Sequence, residues 1–501
     1  MDQVYKLLPV LYKEVSYIWI IIFSLLILIT ISLVIKFTSF KELNWVNRIS
    51  LFTISLTIIL TLCYYPYNFV QNIFSNSGIF AVPENQVNNQ NINGIVLGFI
   101  INVPNAILES PNQYSKDILQ DKIVSKYSYA DGILGNEHPK IKPNIVVIMS
   151  ESFWDIGNIS EEVKRMNYIP TIEENKKGYI VSSQFGGGTA NVEFEALTSL
   201  SINLLPKGSI PYAQYIKKET PSLASILSQH GYYTVGIHTF GGDFWNRNVV
   251  YPLLGFKEFI AYENLENPQQ KGDFIADSEI TNLIISELKN NLDPTFIYAI
   301  TMQNHGGYNN ERYGTETIEV PGNYSEDGQR ILNTYATGVA DADLELKRLI
   351  EYLNSFGEPT LVIFFGDHLP TLSDVYQESG FVGKPNTWEL EDELKMKQTP
   401  LAVWNNYSME IPNVGSISPS FLAPKILEWS SLSLPSYYSF INEFSEVMPG
   451  YTYTVKLDSK GNLFEYSPES LRKLEDYYKL IQYDILFGEQ YSKEMGFFEL
   501  N

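Results

Sequence analysis

An α/β fold with a mainly parallel sheet and helices on both faces is predicted by three observations. Short runs rich in β-branched and aromatic residues, such as Asn144–Met149 (NIVVIM), are typical of strands buried on both sides. Stretches of helical period separate these runs, so crossover connections must join the strands. Polar side chains follow the strands directly, and ligands of such sheets bind beyond the carboxyl ends of the strands.

The predicted elements alternate along the chain from Pro143 onward, and no Gly-rich loop of the P-loop or dinucleotide-binding type interrupts them. A helix that begins at Ser467 and Pro468 and ends at Gly488 closes the domain. In chain order the other elements are strand Asn144–Met149, helix Ser222–His230, strand Tyr232–His238, helix Ser278–Asn290, strand Thr295–Thr301, helix Ala340–Asn354, strand Thr360–Phe365 and strand Pro400–Trp404.

Composition excludes several classes of protein. The 501 residues include 35 Lys and Arg against 57 Asp and Glu, a net charge of -22, and one cysteine. An acidic chain of this kind lacks the basic face that nucleic-acid binding needs. A single cysteine excludes a disulfide framework and a cysteine-based zinc site.

Two apolar runs near the N-terminus predict two transmembrane helices, at about residues 15–35 and 49–66. The first run lacks the small-residue cleavage site of a signal peptide, and a second span follows it. The loop between them, Lys36 to Arg48, carries three basic residues and one acidic residue, so it is expected to be cytoplasmic. We therefore expect a multi-pass cell-membrane protein whose acidic body is extracytoplasmic.

This pattern predicts three domains. Residues 1–70 form the membrane anchor, and residues 71–142 form an extracytoplasmic connector rich in Asn, Pro and Ser. Residues 143–501 form the α/β domain with a C-terminal helical part.

A metal site is predicted where two strands end. Asp367 and His368 directly follow the strand at Thr360–Phe365, and Glu151 follows the strand at Asn144–Met149. A carboxylate and an imidazole at one sheet edge can both reach a metal ion, and Glu151 adds a second oxygen ligand. Taken singly, each of these residues is equally well explained as a helix cap or a hydrogen-bonded side chain.

A candidate nucleophile follows three glycines. Gly186–Gly188 permits a sharp bend, and Thr189 then stands at the start of a possible helix. A glycine run alone is usually a flexible turn. A threonine hydroxyl becomes a useful nucleophile when a metal or a base removes its proton, which a neighbouring Glu/Asp/His site would achieve.

The segments PNIVVIMSESFWD, FGGGTANVEFEALTS, HTFGGDFWNRNVVYPLLGF, MQNHGGY and FFGDHLP, in this order, resemble the lipoteichoic acid synthase family. Its members are membrane phosphoglycerol transferases of the alkaline phosphatase/sulfatase superfamily. The resemblance implies that Glu151, Thr189, Asp367 and His368 bind one manganese or magnesium ion and that Thr189 is the nucleophile. It further implies substrate contacts from His305, Trp245, Arg247 and His238.

The activity implied by the resemblance is a double displacement. Thr189 attacks phosphatidylglycerol and releases diacylglycerol, and an acceptor hydroxyl then takes the glycerol phosphate from the threonine. The acceptor would be a teichoic acid or another cell-wall or surface glycan. His305 or His238 is expected to protonate the departing oxygen, and Glu193 is explained either by support of the site or by its place near a helix start.

The chain departs from the family in having two predicted membrane helices where better-known members have about five. It could therefore prime a polymer, decorate a glycan or require a partner protein in the membrane. A sulfatase activity is excluded because no C/S-x-P-x-R block is present, and phosphoethanolamine transferases usually carry several disulfides. A phosphodiesterase or phosphatase acting on a phospholipid head group and a non-catalytic teichoic-polymer-binding protein remain as alternatives.

Overall fold

The computed structural model of the protein describes residues 45, 48–50, 52–53, 55–56, 86–102, 110–111, 114–128, 141–314 and 317–500. The chain divides into two compact units, one of residues 1–109 with 205–215 and one of residues 110–204 with 216–501. The second unit contains the sheet and every candidate site residue, so the site belongs to a single unit.

The predicted membrane anchor falls almost wholly outside the described residues. Residues 15–35 are not among them, and of the second span only 49–50, 52–53 and 55–56 are described, all of them helical. No helix in the described part of the chain combines the length and the apolar character that a membrane crossing requires. Both spans, and the domain limits drawn from them, stay predictions.

The strands of the second unit form one large sheet and two small ones. The large sheet has eight strands in the order β10-β2-β9-β8-β1-β7-β3-β4. All neighbouring strands run parallel except β9, which is antiparallel to both β2 and β8. The strands are β1 Asn144–Ser150, β2 Lys176–Val181, β3 Tyr233–His238, β4 Glu258–Ala261, β5 Gln270–Lys271, β6 Phe274–Ile275, β7 Thr295–Ile300, β8 Thr360–Gly366, β9 Gln398–Asn405, β10 Gly415–Ile417, β11 Gly450–Tyr451, β12 Lys456–Leu457 and β13 Leu463–Phe464.

Helices connect these strands. Some carry caps that the sequence makes recognisable: Ser222 accepts a hydrogen bond from the Ser225 amide at the start of α9, and Ser325 caps α12 in the same way. The helices are α1 Gln86–Asn93, α2 Ile95–Asn102, α3 Lys116–Leu119, α4 Ser125–Ser128, α5 Glu161–Lys164, α6 Pro170–Asn175, α7 Thr189–Thr198, α8 Pro211–Gln214, α9 Leu223–Gln229, α10 Arg247–Leu253, α11 Asp277–Asn290, α12 Glu326–Phe356, α13 Val375–Glu378, α14 Leu390–Lys395, α15 Leu422–Trp429, α16 Ser436–Val447, α17 Arg472–Leu486 and α18 Tyr491–Glu494. Of these, α1, α2 and α8 belong to the first unit.

The core lies on both faces of the large sheet. Alternate strand residues, such as Val146 of β1 and Val362 of β8, pack in one cluster with Ile284 of α11 and Leu349 of α12. The intervening strand residues, Ile145 and its alternates, are equally buried on the other face. A sheet covered on both faces explains why its central strands are uninterrupted apolar runs.

The predicted α/β class with a mainly parallel sheet is confirmed, and the element limits differ by a few residues in most cases. The largest difference is in α12, which begins at Glu326 rather than at Ala340. The C-terminal helix is split, with one short turn at Glu469–Leu471 before α17. Part of the predicted connector is helical, since α1 to α4 lie within residues 71–142.

Candidate active site

The candidate site lies at the carboxyl edge of the large sheet, where β1, β3, β7 and β8 end. The register pairs Ser150 of β1 with Gly366 of β8, so the residues that follow, Glu151 and Asp367, leave the sheet side by side. His238 ends β3 opposite Ile300 of β7 in the same manner. Parallel alignment therefore gathers side chains that are far apart in the sequence.

Glu151, Asp367 and His368 form a buried cluster with the chemistry of a metal site. One ligand atom from each lies within 4.8 Å of the others. His368 Nε2 is 3.3 Å from Asp367 Oδ2 and 3.8 Å from Glu151 Oε1. Within the described residues, neither Asp367 Oδ2 nor His368 Nε2 has a hydrogen-bond partner. Such orphaned buried atoms are costly unless a cation binds them, so the residues fit a divalent metal.

The electrostatics of the cluster agree with this chemistry. Burial raises the pKa of Asp367 to about 7; the nearby His368 opposes this rise and the Glu151 carboxylate adds to it. Burial alone would lower the pKa of His368, but the charges of Asp367 and Glu151 raise it overall. Two carboxylates and an imidazole removed from water thus lack compensating positive charge, which a divalent cation supplies.

Neighbouring groups hold the ligand atoms in place. His368 Nδ1 lies 2.9 Å from the carbonyl oxygen of Leu369, which leaves Nε2 directed at the cluster. The Ser152 amide donates to Asp367 Oδ1 at 2.7 Å, and the Ser152 hydroxyl donates to Glu151 Oε1 at 2.8 Å. Sequence reasoning missed the role of Ser152, although its place beside Glu151 at a strand end was visible.

Thr189 begins α7 and faces the cluster, since its hydroxyl donates to Glu151 Oε2 at 3.1 Å. Gly186, Gly187 and Gly188 precede it with φ of 65°, 149° and 93°. A side chain at Gly186 would collide with the Thr371 hydroxyl, and one at Gly188 would collide with the Gln184 amide. Nothing crowds Gly187, so the positive φ shared by all three positions is what requires glycine in the turn that presents Thr189.

Arg247 and Glu193 form a buried ion pair beside the site. Their side chains are 1% and 0% exposed. Arg247 Nε donates to both carboxylate oxygens of Glu193, and Nη2 donates to Oε2 at 2.8 Å, while Nη1 donates to the Phe244 carbonyl at 3.3 Å. Glu193 thus orients the guanidinium group. Of the two explanations that the sequence leaves open for Glu193, this contact favours support of the site over its place near a helix start.

The loop that carries Trp245 and Arg247 has an unusual backbone. Trp245 and Asn246 are both left-handed, with φ of 58° and 62°. Non-glycine residues with positive φ are strained, and such strain tends to occur at functional sites. Trp245 and Arg247 both line one cavity.

The two candidate histidines differ in environment. His238 is buried, and this burial lowers its pKa well below the usual value. The charge of Arg247 adds a smaller effect in the same direction. His305 is exposed, its ring centroid lies 5.2 Å from that of Phe274, and its carbonyl accepts a hydrogen bond from Arg312 at 2.9 Å. His305 is therefore the more accessible of the two to a substrate.

A cavity of about 700 Å³ joins these groups. It is lined by every predicted site residue except Asp367, which is fully buried. The lining residues named in the sequence analysis are Glu151, Thr189, His238, Trp245, Arg247, His305 and His368. The structure thus brings the predicted site together, and the role of each residue stays a prediction.

Metal binding should be measurable without an activity assay. Manganese at about 100 times its dissociation constant is expected to add about 2.7 kcal/mol to the free energy of unfolding of the wild-type protein. Asp367→Asn should lose this gain because it removes a ligand carboxylate, yet its amide oxygen can still accept the bond from the Ser152 amide. Thermal denaturation with and without manganese tests this, with the exposed Asp476→Asn as control. An equal manganese shift in Asp367→Asn would contradict the metal site.

The fold and the site together define the class: an α/β enzyme of the alkaline phosphatase/sulfatase type, either a transferase or a hydrolase. The chain belongs to the sulfatase family, which matches residues 143–432, a range that includes all the candidate site residues.

Similar proteins agree with this membership. A Rhizobium meliloti (strain 1021) protein, provisionally named a cyclic beta-1,2-glucan modification protein, is 36% identical over 509 residues, or 99% of this chain and 78% of the relative. The lipoteichoic acid synthase-like YvgJ of Bacillus subtilis (strain 168) is 25% identical over 223 residues, or 43% of this chain and 34% of YvgJ.

A solved structure shares the fold across most of both chains. The phosphoglycerol transferase GacH of Streptococcus pyogenes, solved in complex with sn-glycerol-1-phosphate, superimposes with a TM-score of 0.65 at 24% identity, covering 79% of this chain and 100% of GacH. With the sulfatase match and YvgJ, it confirms the resemblance that the five sequence segments carry.

Proposed function

We propose that the protein transfers glycerol phosphate from phosphatidylglycerol to a glycan of the cell surface or to a teichoic acid and releases diacylglycerol. The proposal rests on the position of Thr189, which lines the cavity beside the cluster of Glu151, Asp367 and His368. Its hydroxyl donates a hydrogen bond to Glu151. The names of the glucan-modifying relative and of GacH support the classes of acceptor and donor.

The proposed reaction has two displacements at one phosphorus atom. Thr189 Oγ1 forms a bond to phosphorus as the bond to the diacylglycerol oxygen breaks, and Glu151, 3.1 Å away, accepts the threonine proton. The acceptor hydroxyl then forms the new ester bond and gives its proton to His305, while Glu151 returns the stored proton to Thr189 as the bond from Thr189 to phosphorus breaks. Glu151, Thr189, Asp367 and His368 would hold a manganese or magnesium ion. When bound, such an ion offsets the phosphate charge and lowers the pKa of a hydroxyl ligand.

Other side chains bind the substrate and move its protons. Arg247 contributes the cation that faces the phosphate, with its guanidinium plane set by Glu193. Trp245 lies beside it and bounds the space for the glycerol. We assign protonation of the departing oxygen to His305, because His238 is buried and its pKa is lowered by that burial. The active domain would face the outside of the membrane that contains the donor.

The full-length protein, manganese and phosphatidylglycerol with a fluorescent acyl chain test the proposal directly. We expect diacylglycerol to be released and an added glycan to gain the mass of glycerol phosphate, and chelation of the metal should stop both. Free glycerol phosphate without a modified acceptor would instead identify a phosphodiesterase. No release of diacylglycerol would contradict the proposal and favour a non-catalytic binding protein.

A further inference from the structure

The cavity has a second end, which the proposed donor contacts leave unused. In the large sheet β3, β7, β1 and β8 are successive neighbours, so the loops after β3 and β8 are three strand spacings apart, or roughly 14 Å. Trp245 and Arg247 follow β3, whereas Thr371 and Ser373 follow β8. The cavity reaches both loops and is therefore longer than a glycerol phosphate group requires.

Five polar residues line this second end, and we call them the acceptor rim. The start of α12 lies beside α13, because the Glu378 carboxylate of α13 accepts a hydrogen bond from the amide of Ser325, which caps α12. This contact brings the rim residues of α12 close to the loop after β8, which leads into α13. Thr371, Ser373 and Asn309 are exposed, and within the described residues none of their side chains takes part in a hydrogen bond. The acceptor rim consists of Asn309, Asp327, Arg330, Thr371 and Ser373.

The charges of the acceptor rim cancel. Arg330 Nη2 donates to Asp327 Oδ1 one helical turn away on α12, and the two side chains are 40% and 78% exposed. Exposed pairs of this kind contribute little stability, so a ligand can rearrange them at small cost. Arg330 lines the cavity with a side chain that is partly exposed, and within the described residues its buried Nε has no hydrogen-bond partner, so a rearranged guanidinium group has a donor to spare.

If the proposed function holds, the acceptor needs a binding place of its own in this cavity. The oxygen that leaves phosphorus in the first displacement and the oxygen that enters in the second both lie opposite Thr189 Oγ1. The glycerol phosphate stays bound between the two steps, so the acceptor needs contacts other than Trp245 and Arg247. Ser152 is bonded to Glu151 and the Tyr308 hydroxyl to the Asn304 carbonyl, so the acceptor rim is the polar part of the cavity wall that has no other assigned partner.

We infer that the acceptor rim binds a neutral carbohydrate, so that the acceptor is an uncharged glycan rather than a chain of glycerol phosphate. Adjacent sugar hydroxyls are both donors and acceptors, which match the guanidinium of Arg330, the carboxylate of Asp327 and the amide of Asn309. A polyanionic acceptor would require an excess of positive charge. The acceptor rim has none, and the whole chain carries a net charge of -22.

The test compares two acceptors of equal length, a neutral β-1,2-linked gluco-oligosaccharide and an oligomer of glycerol phosphate, with the full-length protein, manganese and labelled phosphatidylglycerol. We expect the neutral oligosaccharide to be modified with the higher kcat/KM. Arg330→Gln and Asp327→Asn should each raise KM for it about tenfold or more, with a smaller change in kcat, because each removes a charged hydrogen-bonding group. Calorimetric binding of the same oligosaccharide should weaken in parallel.

A matched control is available on α17, where Arg472 forms a comparably exposed pair with Glu469 outside the cavity. Arg472→Gln should leave KM for the oligosaccharide unchanged. The inference would be overturned if only the glycerol phosphate oligomer were modified, or if the neutral acceptor kept its wild-type KM in both rim variants. In either case continued release of diacylglycerol would leave the proposed function intact, whereas no release would remove both.

Discussion

Thr189→Ala is expected to lower the release of diacylglycerol from phosphatidylglycerol by at least about 10³-fold, because alanine has no hydroxyl to form the bond to phosphorus. The fold should survive. The Thr189 hydroxyl donates to Glu151 and the residue is only partly buried, so removal of the hydroxyl should lower the free energy of unfolding by about 1 kcal/mol. The rate of release in the presence of manganese and a chemical denaturation curve measure the two effects.

Thr189→Ser separates the nucleophile from the rest of the threonine side chain. Serine retains the hydroxyl, so we expect a covalent glycerol phosphate adduct on residue 189 that mass spectrometry detects in wild type and Thr189→Ser but not in Thr189→Ala. Thr387→Ala is the control, because the Thr387 hydroxyl is exposed and bonds only locally, to the Lys384 carbonyl at 2.8 Å. Undiminished diacylglycerol release by Thr189→Ala would show that another group attacks phosphorus.

The central strands were predictable because a strand that is buried on both faces is a continuous run of apolar residues. β1, β7 and β8 are fully buried, and their apolar runs predicted them within one residue at most ends. β2, with the sequence KKGYIV, was missed because its first residues are polar and it lies away from the sheet centre. β9 was found, but its antiparallel direction depends on pairing between distant segments, which local sequence does not record.

In the site, too, the features that depend on local sequence were predictable, whereas the contacts between distant segments were not. Strand-end positions marked Glu151, Asp367 and His368, and parallel register brings them together. The role of each residue depended on the family resemblance and stays a prediction. The Arg247–Glu193 pair could not be predicted from spacing, because α7 and α10 meet only in the folded unit. Arg330 and Asp327 escaped notice for a similar reason, since an i,i+3 pair on a helix is usually a solvated surface feature.

The buried pair makes a second large effect predictable. Arg247→Met or Glu193→Met alone leaves one charge in a site where both partners are essentially inaccessible to water. Each single variant should therefore lower the free energy of unfolding by about 3–5 kcal/mol. The double variant should recover most of that loss, because two apolar side chains of similar size replace two charges and no unpaired charge remains.

Activity should not recover with stability. The double variant lacks the guanidinium that lines the cavity, so we expect it to release diacylglycerol about 10²-fold more slowly than wild type, although it folds. Guanidinium chloride denaturation and the release assay, applied to both singles and the double, measure the two quantities independently. The exposed Glu469 and Arg472 pair provides the control, since its removal should cost less than about 1 kcal/mol. Single variants as stable as this control would mean that the pair is hydrated in solution. A double variant with full activity would mean that Arg247 serves the fold and not the phosphate.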